Sequence, residues 1–175
     1  MPATREDLMT RLKELGIETS TMDHEPVFTV SESSKLDREL EGGHTKNLFV
    51  KDKKGRLFLV VALAHATIDL KQLHKVIGAQ GRVSFGNAEL LEEVLGVKPG
   101  SVTPFALIND TEHRVTPVLD AAMMAFETLN YHPLSNDATT SISRDDLLAF
   151  VRACGHEPQV LPVSEEERAA GEETA

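Results

Sequence analysis

The sequence predicts a single domain of the α/β (α+β) class, built on a mixed, mainly antiparallel β-sheet with helices around it. Its 175 residues are enough for one domain with a full hydrophobic core. Segments with strand character are joined directly by a hairpin at one point and are separated by helical segments elsewhere. That order favours a mixed sheet over a doubly wound parallel one.

The N-terminal half is predicted to hold two helices, a short strand and a hairpin. A capping box from Thr4 to Asp7 opens the first helix, and leucines at helical spacing continue it until Gly16. The other elements of this half are predicted within residues 17–23 (strand), 31–40 (helix), 46–50 and 56–63 (the two hairpin strands). The second hairpin strand is almost wholly apolar, so it is predicted to be central in the sheet.

Helices and strands are predicted to alternate in the C-terminal half. Asp69, Asn87 and Ser143 each stand where the N-cap of a short helix is expected. The segment 96–104 is rich in Gly and Pro and is predicted to be a loop next to a strand. Helices are predicted at residues 70–77, 88–95, 144–154 and early in 120–130, and strands at residues 105–108, 115–119, 138–142 and late in 120–130.

Charge is distributed unevenly along the chain. The net charge is −10, yet residues 46–82 carry eight Lys or Arg against two Asp or Glu. Such a segment is typical of a surface for a phosphate-bearing ligand, although two separately solvated faces would give the same count. The last residues, 164–175, are acidic and lack aromatic residues, so we predict a disordered tail after a domain that covers residues 1–163.

Several kinds of site and location are not supported by the sequence. Seven histidines are scattered without the spacing of a zinc site, and Cys154 is the only cysteine, so no metal is expected. The glycine fingerprints of dinucleotide and P-loop sites are absent, so no nucleotide cofactor is expected. No apolar run approaches the roughly 20 residues of a membrane-spanning helix, and the N-terminus lacks the apolar stretch of a signal peptide. We therefore expect a cytoplasmic protein without membrane contact.

Two neighbouring polar residues stand where the first hairpin strand is predicted to begin. Lys46 can contact a phosphate, or stabilise negative charge that develops on a carbonyl oxygen. Asn47 offers both a donor and an acceptor, which suits orientation of an amide, an amine or a water molecule. The alternative interpretations are a surface lysine and a turn residue.

A second group of polar residues lies later in the chain. His132 directly precedes a proline, which keeps it out of helical geometry and leaves its ring available to a cleft. A histidine can orient a substrate or move a proton near neutral pH, although a lone histidine is also common in a core or on a surface. Thr139 and Thr140 could donate hydroxyl groups to the same pocket, which strand propensity explains equally well. Backbone N–H groups at Gly100 and Ser101 could face a ligand oxygen.

Three motifs in this order resemble the YbaK-type aminoacyl-tRNA deacylases. They are Gly43-His44-Thr45-Lys46-Asn47-Leu48-Phe49, then Gly100-Ser101-Val102-Thr103-Pro104, then Asn130-Tyr131-His132-Pro133-Leu134 followed by Asn136, Thr139 and Thr140. Within that group the chain is similar to the free-standing relatives of the editing domain of bacterial prolyl-tRNA synthetase, the ProXp-ala (PrdX-like) group. The resemblance covers roughly residues 5–160, and it implies a YbaK-like fold in which the sheet forms a partial barrel.

The resemblance also implies an activity and roles for residues. The activity is hydrolysis, in trans, of the ester between tRNA for proline and a wrong amino acid, with alanine expected first and cysteine or serine as alternatives. In the family, the residue matching Lys46 is the one most tied to activity and the asparagine matching Asn47 lies beside it. The loop matching Gly100 and Ser101 lines the aminoacyl pocket, and the histidine matching His132 helps to hold the substrate.

The expected hydrolysis needs no protein nucleophile. An aminoacyl ester is already activated, so a positioned water and a ribose hydroxyl of the substrate can replace a protein nucleophile. We expect mischarged tRNA as the partner, a transient association with prolyl-tRNA synthetase, and a monomer. Four basic residues of the hairpin are predicted to meet the acceptor stem: Lys51, Lys53, Lys54 and Arg56.

Two other classes of function remain as alternatives. A non-catalytic nucleic-acid-binding module would also use a cationic patch, but the acidic net charge and the scarcity of aromatic residues count against it. A small-molecule-binding regulator would hydrolyse no aminoacyl ester at all.

Overall fold

The computed structural model describes residues 2–25 and 42–174, with side chains described up to residue 169. The α-helices of this part are α1 (Arg5–Glu14), α2 (Leu73–Ile77), α3 (Ala88–Leu95), α4 (Arg144–Ala153) and α5 (Glu165–Thr174), and its 3-10 helices are Pro104–Asn109 and Ala121–Ala125. Its strands are β1 (Ser20–Asp23), β2 (Gly43–Lys51), β3 (Leu57–Leu63), β4 (Ser84–Phe85), β5 (Val115–Asp120), β6 (Thr128–Tyr131), β7 (Ala138–Ser143) and β8 (Gln159–Leu161). The helix predicted within residues 31–40 lies outside the described residues.

The strands form one mixed sheet, as predicted. Their order is β1-β7-β6-β2-β3-β5-β8, and the short strand β4 pairs with β2. The pairs β1–β7, β6–β7, β2–β3 and β2–β4 are antiparallel, whereas β2–β6, β3–β5 and β5–β8 are parallel. The apolar strand β3 is central, which confirms the prediction from its composition.

The sheet has two faces with separate hydrophobic cores. Leu57, Leu59 and Val61 of β3 pack into the larger core together with α1, α3 and α4. Phe58 and Val60 pack into a smaller core together with α2. Because side chains alternate along a strand, the two sets identify the two sides of the sheet. We call the side of the larger core the inner face and the side of α2 the outer face.

Three predicted helix caps are confirmed. Thr4 forms a capping box with Asp7 at the start of α1. The side chains of Asn87 and Ser143 accept backbone N–H groups at the starts of α3 and α4. Asp69 does not cap α2: its carboxylate accepts the N–H of Lys71 in a turn, and the helix begins later than predicted.

The strand predicted at residues 105–108 is wrong, because Pro104–Asn109 is a 3-10 helix. The hydroxyl of Thr103 accepts the N–H of Phe105, and Pro104 occupies the first helical turn, where its missing N–H costs nothing. The segment is nearly all apolar, and its first four residues are buried. In such a segment hydrophobic periodicity does not distinguish a strand from a helix.

The predicted disordered tail is also wrong over residues 165–174, which form α5. The segment that leads into α5 is anchored by the buried Asp120, whose carboxylate accepts the N–H groups of Val163 and Ser164 at 3.0 and 3.2 Å. The hydroxyl of Ser164 then accepts the N–H of Glu167 and caps the helix. Composition alone could not reveal the anchoring by Asp120, because this residue lies 43 and 44 positions before the two N–H groups that it accepts. No helix of the described residues is long and apolar enough to cross a membrane.

Candidate functional site

A row of polar side chains crosses the outer face where β2, β6 and β7 lie side by side. Leu48 and Val50 pack in the outer core and Phe49 in the inner core, so alternation places His44 and Lys46 on the outer face. The pairing of β2 with β6, and of β6 with β7, adds residues of both neighbouring strands to the same face. We call this set the outer-face polar row: His44, Lys46, Asn130, Thr139 and Ser141.

Lys46 lies inside β2 rather than at its head, since the strand begins at Gly43. Its ammonium donates to the carbonyl of Ala66, in the turn that follows β3. No carboxylate of the described residues lies within 4 Å of the ammonium. The charge of Lys46 also acts on Glu166 of α5: hydrogen bonds from Thr67 lower the pKa of the Glu166 carboxyl, and Lys46 adds to that effect. The remaining N–H groups of Lys46 are therefore available to a ligand.

A pocket of about 360 Å³ lies beside this ammonium. Ala66, whose carbonyl binds Lys46, forms part of its wall, and the first turn of α5 closes another side with Ser164 and Glu166. Its lining is mostly apolar: Gly42, Gly43, His44, Leu63, Ala64, His65, Ala66, Ala122, Phe126, Ser164 and Glu166. Cavities of this size hold small molecules or a terminal group of a larger one.

Asn47 points to the opposite side of the sheet from Lys46, because neighbouring strand residues face opposite sides. Its side-chain oxygen is buried, and it has no hydrogen-bond partner in the part of the chain that the structure describes. A buried acceptor without a partner is uncommon in folded proteins, and this oxygen can accept a hydrogen bond from a bound molecule. The two neighbouring residues therefore cannot act as a pair on one face.

One edge of β2 is unpaired along its middle among the described residues, and we call it the open edge of β2. Side chains of both faces of the strand border this edge. β6 pairs only with the first two residues of β2 and β4 only with its last two, so residues 45–49 have no strand partner on that edge among the described residues. Backbone groups of alternate residues point to alternate edges of a strand. Since the carbonyl of Phe49 accepts the N–H of Gly86 on this side, the backbone of Asn47 also faces the opening. A ligand at this edge can contact Lys46 from one side and Asn47 from the other.

His132 and Thr139 lie near the end of β6, beside a histidine that the sequence did not indicate, and their roles toward a substrate stay predictions. The ring of His24 lies 2.8 Å from the hydroxyl of Thr139, and an N–H of His132 donates to the carbonyl of Ala138 at 3.2 Å. Burial lowers the pKa of His132, the nearby His24 lowers it further, and the hydrogen bond to Ala138 opposes both. The imidazole of His132 is therefore neutral at pH 7.

Asn130 connects these strands and was not predicted as a site residue. Its side-chain oxygen accepts from the hydroxyl of Ser141 at 2.5 Å, and its amide donates to the carbonyl of Gly43. The hydroxyl of Thr45 donates to the main-chain carbonyl of Asn130 at 2.6 Å. A signal was present in the sequence, because Asn130 stands two residues before His132 and strand alternation puts both on one side.

Gly100 and Ser101 lie in the predicted loop before the 3-10 helix Pro104–Asn109. Ser101 is buried, Gly100 has a φ of 92°, and the adjacent Val102 packs against the inner core. Among the described residues, no hydrogen bond or ion pair joins this loop to Lys46. Its place beside the substrate remains a prediction.

The basic hairpin is held in one shape by Asp52, which is 5% exposed. Desolvation raises the pKa of this carboxyl, but N–H donors from Gln80, Arg56 and Lys54 outweigh it and the net pKa is lowered. The stem of Lys53 lies against Gly81. Arg56 stacks over the ring of Phe58 at 5.3 Å. Lys51 is half-buried and the other three predicted RNA contacts are exposed, on a surface that is formed in advance.

Among the described residues, no cluster of His, Cys, Asp or Glu could hold a metal ion.

Comparisons of the chain with a family model and with known proteins agree on one family. A family model described as "Aminoacyl-tRNA editing domain" matches residues 24–150. A prolyl-tRNA synthetase associated domain-containing protein 1 from Danio rerio is 41% identical over 159 residues, which cover 90% of this chain and 86% of that protein. The prolyl-tRNA editing protein ProX from Acetoanaerobium sticklandii is 36% identical over 153 residues, covering 87% and 93%.

A solved structure shares the fold at much lower identity. It is described as a candidate trans-editing enzyme for prolyl-tRNA synthetase, and it superposes with a TM-score of 0.67 at 16% identity. The match covers 92% of this chain and 98% of that one. At this identity the likeness extends to the fold alone.

Proposed function

Because the chain belongs to the aminoacyl-tRNA editing domain family, whose members are hydrolases of aminoacyl-tRNA, we propose that it removes alanine from mischarged tRNA for proline, in trans. The observation that carries the proposal is the open edge of β2, which offers Lys46 on one side and Asn47 on the other beside a small apolar pocket. The resemblance to prolyl-tRNA editing proteins supports the choice of tRNA.

The proposed mechanism uses positioning and charge rather than a protein nucleophile. The Lys46 ammonium faces the terminal phosphate or the oxyanion that develops as water attacks the ester carbonyl. Asn47 and the backbone of Gly100 hold the aminoacyl group, with Ser101 beside them. Neutral His132 accepts a hydrogen bond from a ribose hydroxyl or the attacking water, and Thr139 orients the neighbouring His24. The leaving group is the ribose oxygen of the terminal adenosine, which recovers a proton from solvent.

Selectivity would follow from the small, apolar character of the pocket. Leu63, Ala64, Ala66 and Phe126 suit a methyl group. An apolar pocket distinguishes ligands that differ by one methylene by only about 1–3 kcal/mol. Esters of glycine and serine should consequently be hydrolysed as well, more slowly than alanyl esters. Prolyl esters are rejected on this proposal because the bound ribose and ester fill most of the pocket and leave room for a methyl group but not for a pyrrolidine ring.

The proposal is tested by incubating the purified protein with alanyl-tRNA for proline and following loss of the ester. We expect rapid loss of alanine and persistence of proline on the same tRNA. Cysteinyl- and seryl-tRNA, assayed in parallel, rank the alternative substrates. Binding of tRNA without loss of any amino acid would contradict the proposal and favour a non-catalytic RNA-binding module. If the protein neither binds this tRNA nor hydrolyses its ester, the result would favour a small-molecule-binding regulator.

The role of His132 predicts a specific dependence on pH. Its pKa lies below the usual value of about 6.5, so protonation begins only below that pH. We expect kcat/KM to be constant near pH 7 and to fall only at a pH below the usual histidine pKa, as the ring loses its acceptor nitrogen. The His132→Asn variant should have a lower rate and no such fall between pH 5 and pH 7. Circular dichroism at each pH verifies that both proteins remain folded. An identical acid limb in the variant would remove His132 from the mechanism.

A further inference from the structure

We propose that Phe85 is a stacking platform for an unpaired base at the 3′ end of the bound tRNA, an inference that rests on the proposed function. Phe85 is 56% exposed, the largest exposed fraction among the large apolar side chains of the described residues. It belongs to the two-residue strand β4, which pairs with the end of β2. A large ring left in solvent on a short, fixed strand suits contact with a flat apolar partner.

The position of Phe85 relates it directly to the candidate site. It pairs with Val50, so it lies on the same outer face as Lys46, four residues along β2. At about 3.3 Å per residue, this separation is about 13 Å. β4 also forms one end of the open edge at which the ester is expected to lie. A short single-stranded segment that leaves Lys46 along β2 reaches Phe85.

The charges around Phe85 favour RNA over an apolar protein partner. Arg82 precedes it by three residues and is exposed, and the stem of Lys53 crosses Gly81 in the adjoining loop. Neither of these two cations has a carboxylate within 4 Å in the described part of the chain. An aromatic ring bordered by unpaired cations is the combination that single-stranded nucleic acid uses, with bases stacked on the ring and phosphates near the cations.

The absence of tryptophan in the chain allows a direct test. The Phe85→Trp variant carries a unique fluorescent reporter at the proposed platform, and Val160→Trp is its matched control. Val160 is 45% exposed and lies on β8, at the far edge of the sheet. Each variant is titrated with uncharged tRNA for proline and with the same tRNA after removal of its single-stranded 3′ end. We expect quenching at position 85 by the intact tRNA only, and none at position 160.

Kinetics of the Phe85→Ala variant provide a second readout. Loss of one stacked base is expected to raise KM for alanyl-tRNA about tenfold. The value of kcat should be unchanged, because the ring is remote from the ester. Phe85→Tyr, which keeps the ring, should restore the wild-type KM.

The outcomes separate this inference from the proposed function. Normal hydrolysis with no quenching at position 85, or with an unchanged KM for Phe85→Ala, would overturn the inference alone. Quenching by intact tRNA without any hydrolysis would support the platform and overturn the proposed deacylase. A change of emission with protein concentration in the absence of RNA would assign the surface to a contact between two copies of the chain, and would also overturn the inference.

Discussion

Replacement of Lys46 by alanine is expected to reduce kcat/KM for hydrolysis of alanyl-tRNA by about 10²–10³-fold while the protein stays folded. The ammonium is the only cation of the outer-face polar row, among the residues that the structure describes. It is held at the edge of the pocket by its bond to the carbonyl of Ala66. Removal of one group that stabilises developing negative charge costs an enzyme a factor of that order. The measurement is single-turnover loss of labelled alanine.

Two control variants make the Lys46 prediction specific. Lys13→Ala removes the same charge from an exposed position on α1 and should leave the rate unchanged. Lys46→Arg keeps the charge but replaces a compact ammonium by a planar fork, so it should recover part of the rate at most. The turn that accepts the Lys46 bond has independent support, since Thr67 bonds to the backbone of Glu165 and the carboxylate of Glu166. A Lys46→Ala variant with the wild-type rate and an unchanged thermal transition would refute the role.

Sequence patterns were sufficient wherever an element is determined by neighbouring residues. The caps at Thr4, Asn87 and Ser143 are local hydrogen bonds, and each was identified from residues within one helical turn. The central position of β3 follows from its uninterrupted apolar composition. The 3-10 helix at Pro104–Asn109 was missed because a buried apolar segment carries no period. Strand β8 was missed because three residues, two of them exposed, contain too little pattern.

Only part of the site could be predicted from the sequence, and there is a physical reason why the rest could not. Lys46, His132 and Thr139 stand on the motifs that carry the family resemblance, and they lie on or beside the same outer face, while their roles toward a substrate stay predictions. The contact between His24 and Thr139 joins residues separated by 115 positions, which no local pattern contains. The opposite orientation of Asn47 follows from its interior position in β2, whereas the sequence placed it at the strand head. The open edge itself depends on which strands pair with β2, and only the fold determines that.

The second large effect is expected at Asp110, where replacement by alanine should destabilise the fold by about 3 kcal/mol. Its carboxylate accepts the N–H groups of Arg114 and Val115 at 3.0 and 2.9 Å, and faces Nε2 of His156 at 2.8 Å. The side chains of Asp110 and His156 are each only 2% exposed. Loss of the carboxylate leaves these buried donors without a partner, and water cannot replace it without opening the core.

Because of the location of the Asp110–His156 pair, its removal should destabilise the whole fold and not one loop. Asp110 precedes β5 and His156 follows α4, so the pair fastens the C-terminal segment to the sheet just before β8 adds to β5. Asp120 fastens the same segment at the other end of β5, and from there α5 reaches the wall of the pocket. For a chain of this length, a loss of about 3 kcal/mol lowers the thermal midpoint by roughly 10 °C.

A double-mutant cycle distinguishes a coupled pair from two independent residues. Asp110→Ala, His156→Ala and the double variant are compared by thermal and urea unfolding, and the double variant should cost much less than the sum of the single ones. Asp110→Asn keeps one acceptor oxygen and should lose less stability than Asp110→Ala. Single-turnover hydrolysis by the folded fraction should stay near the wild-type rate at 25 °C, because the pair lies outside the pocket beside Lys46. Additive losses in the cycle would show that the carboxylate and the imidazole stabilise the fold separately, contrary to the expected coupling.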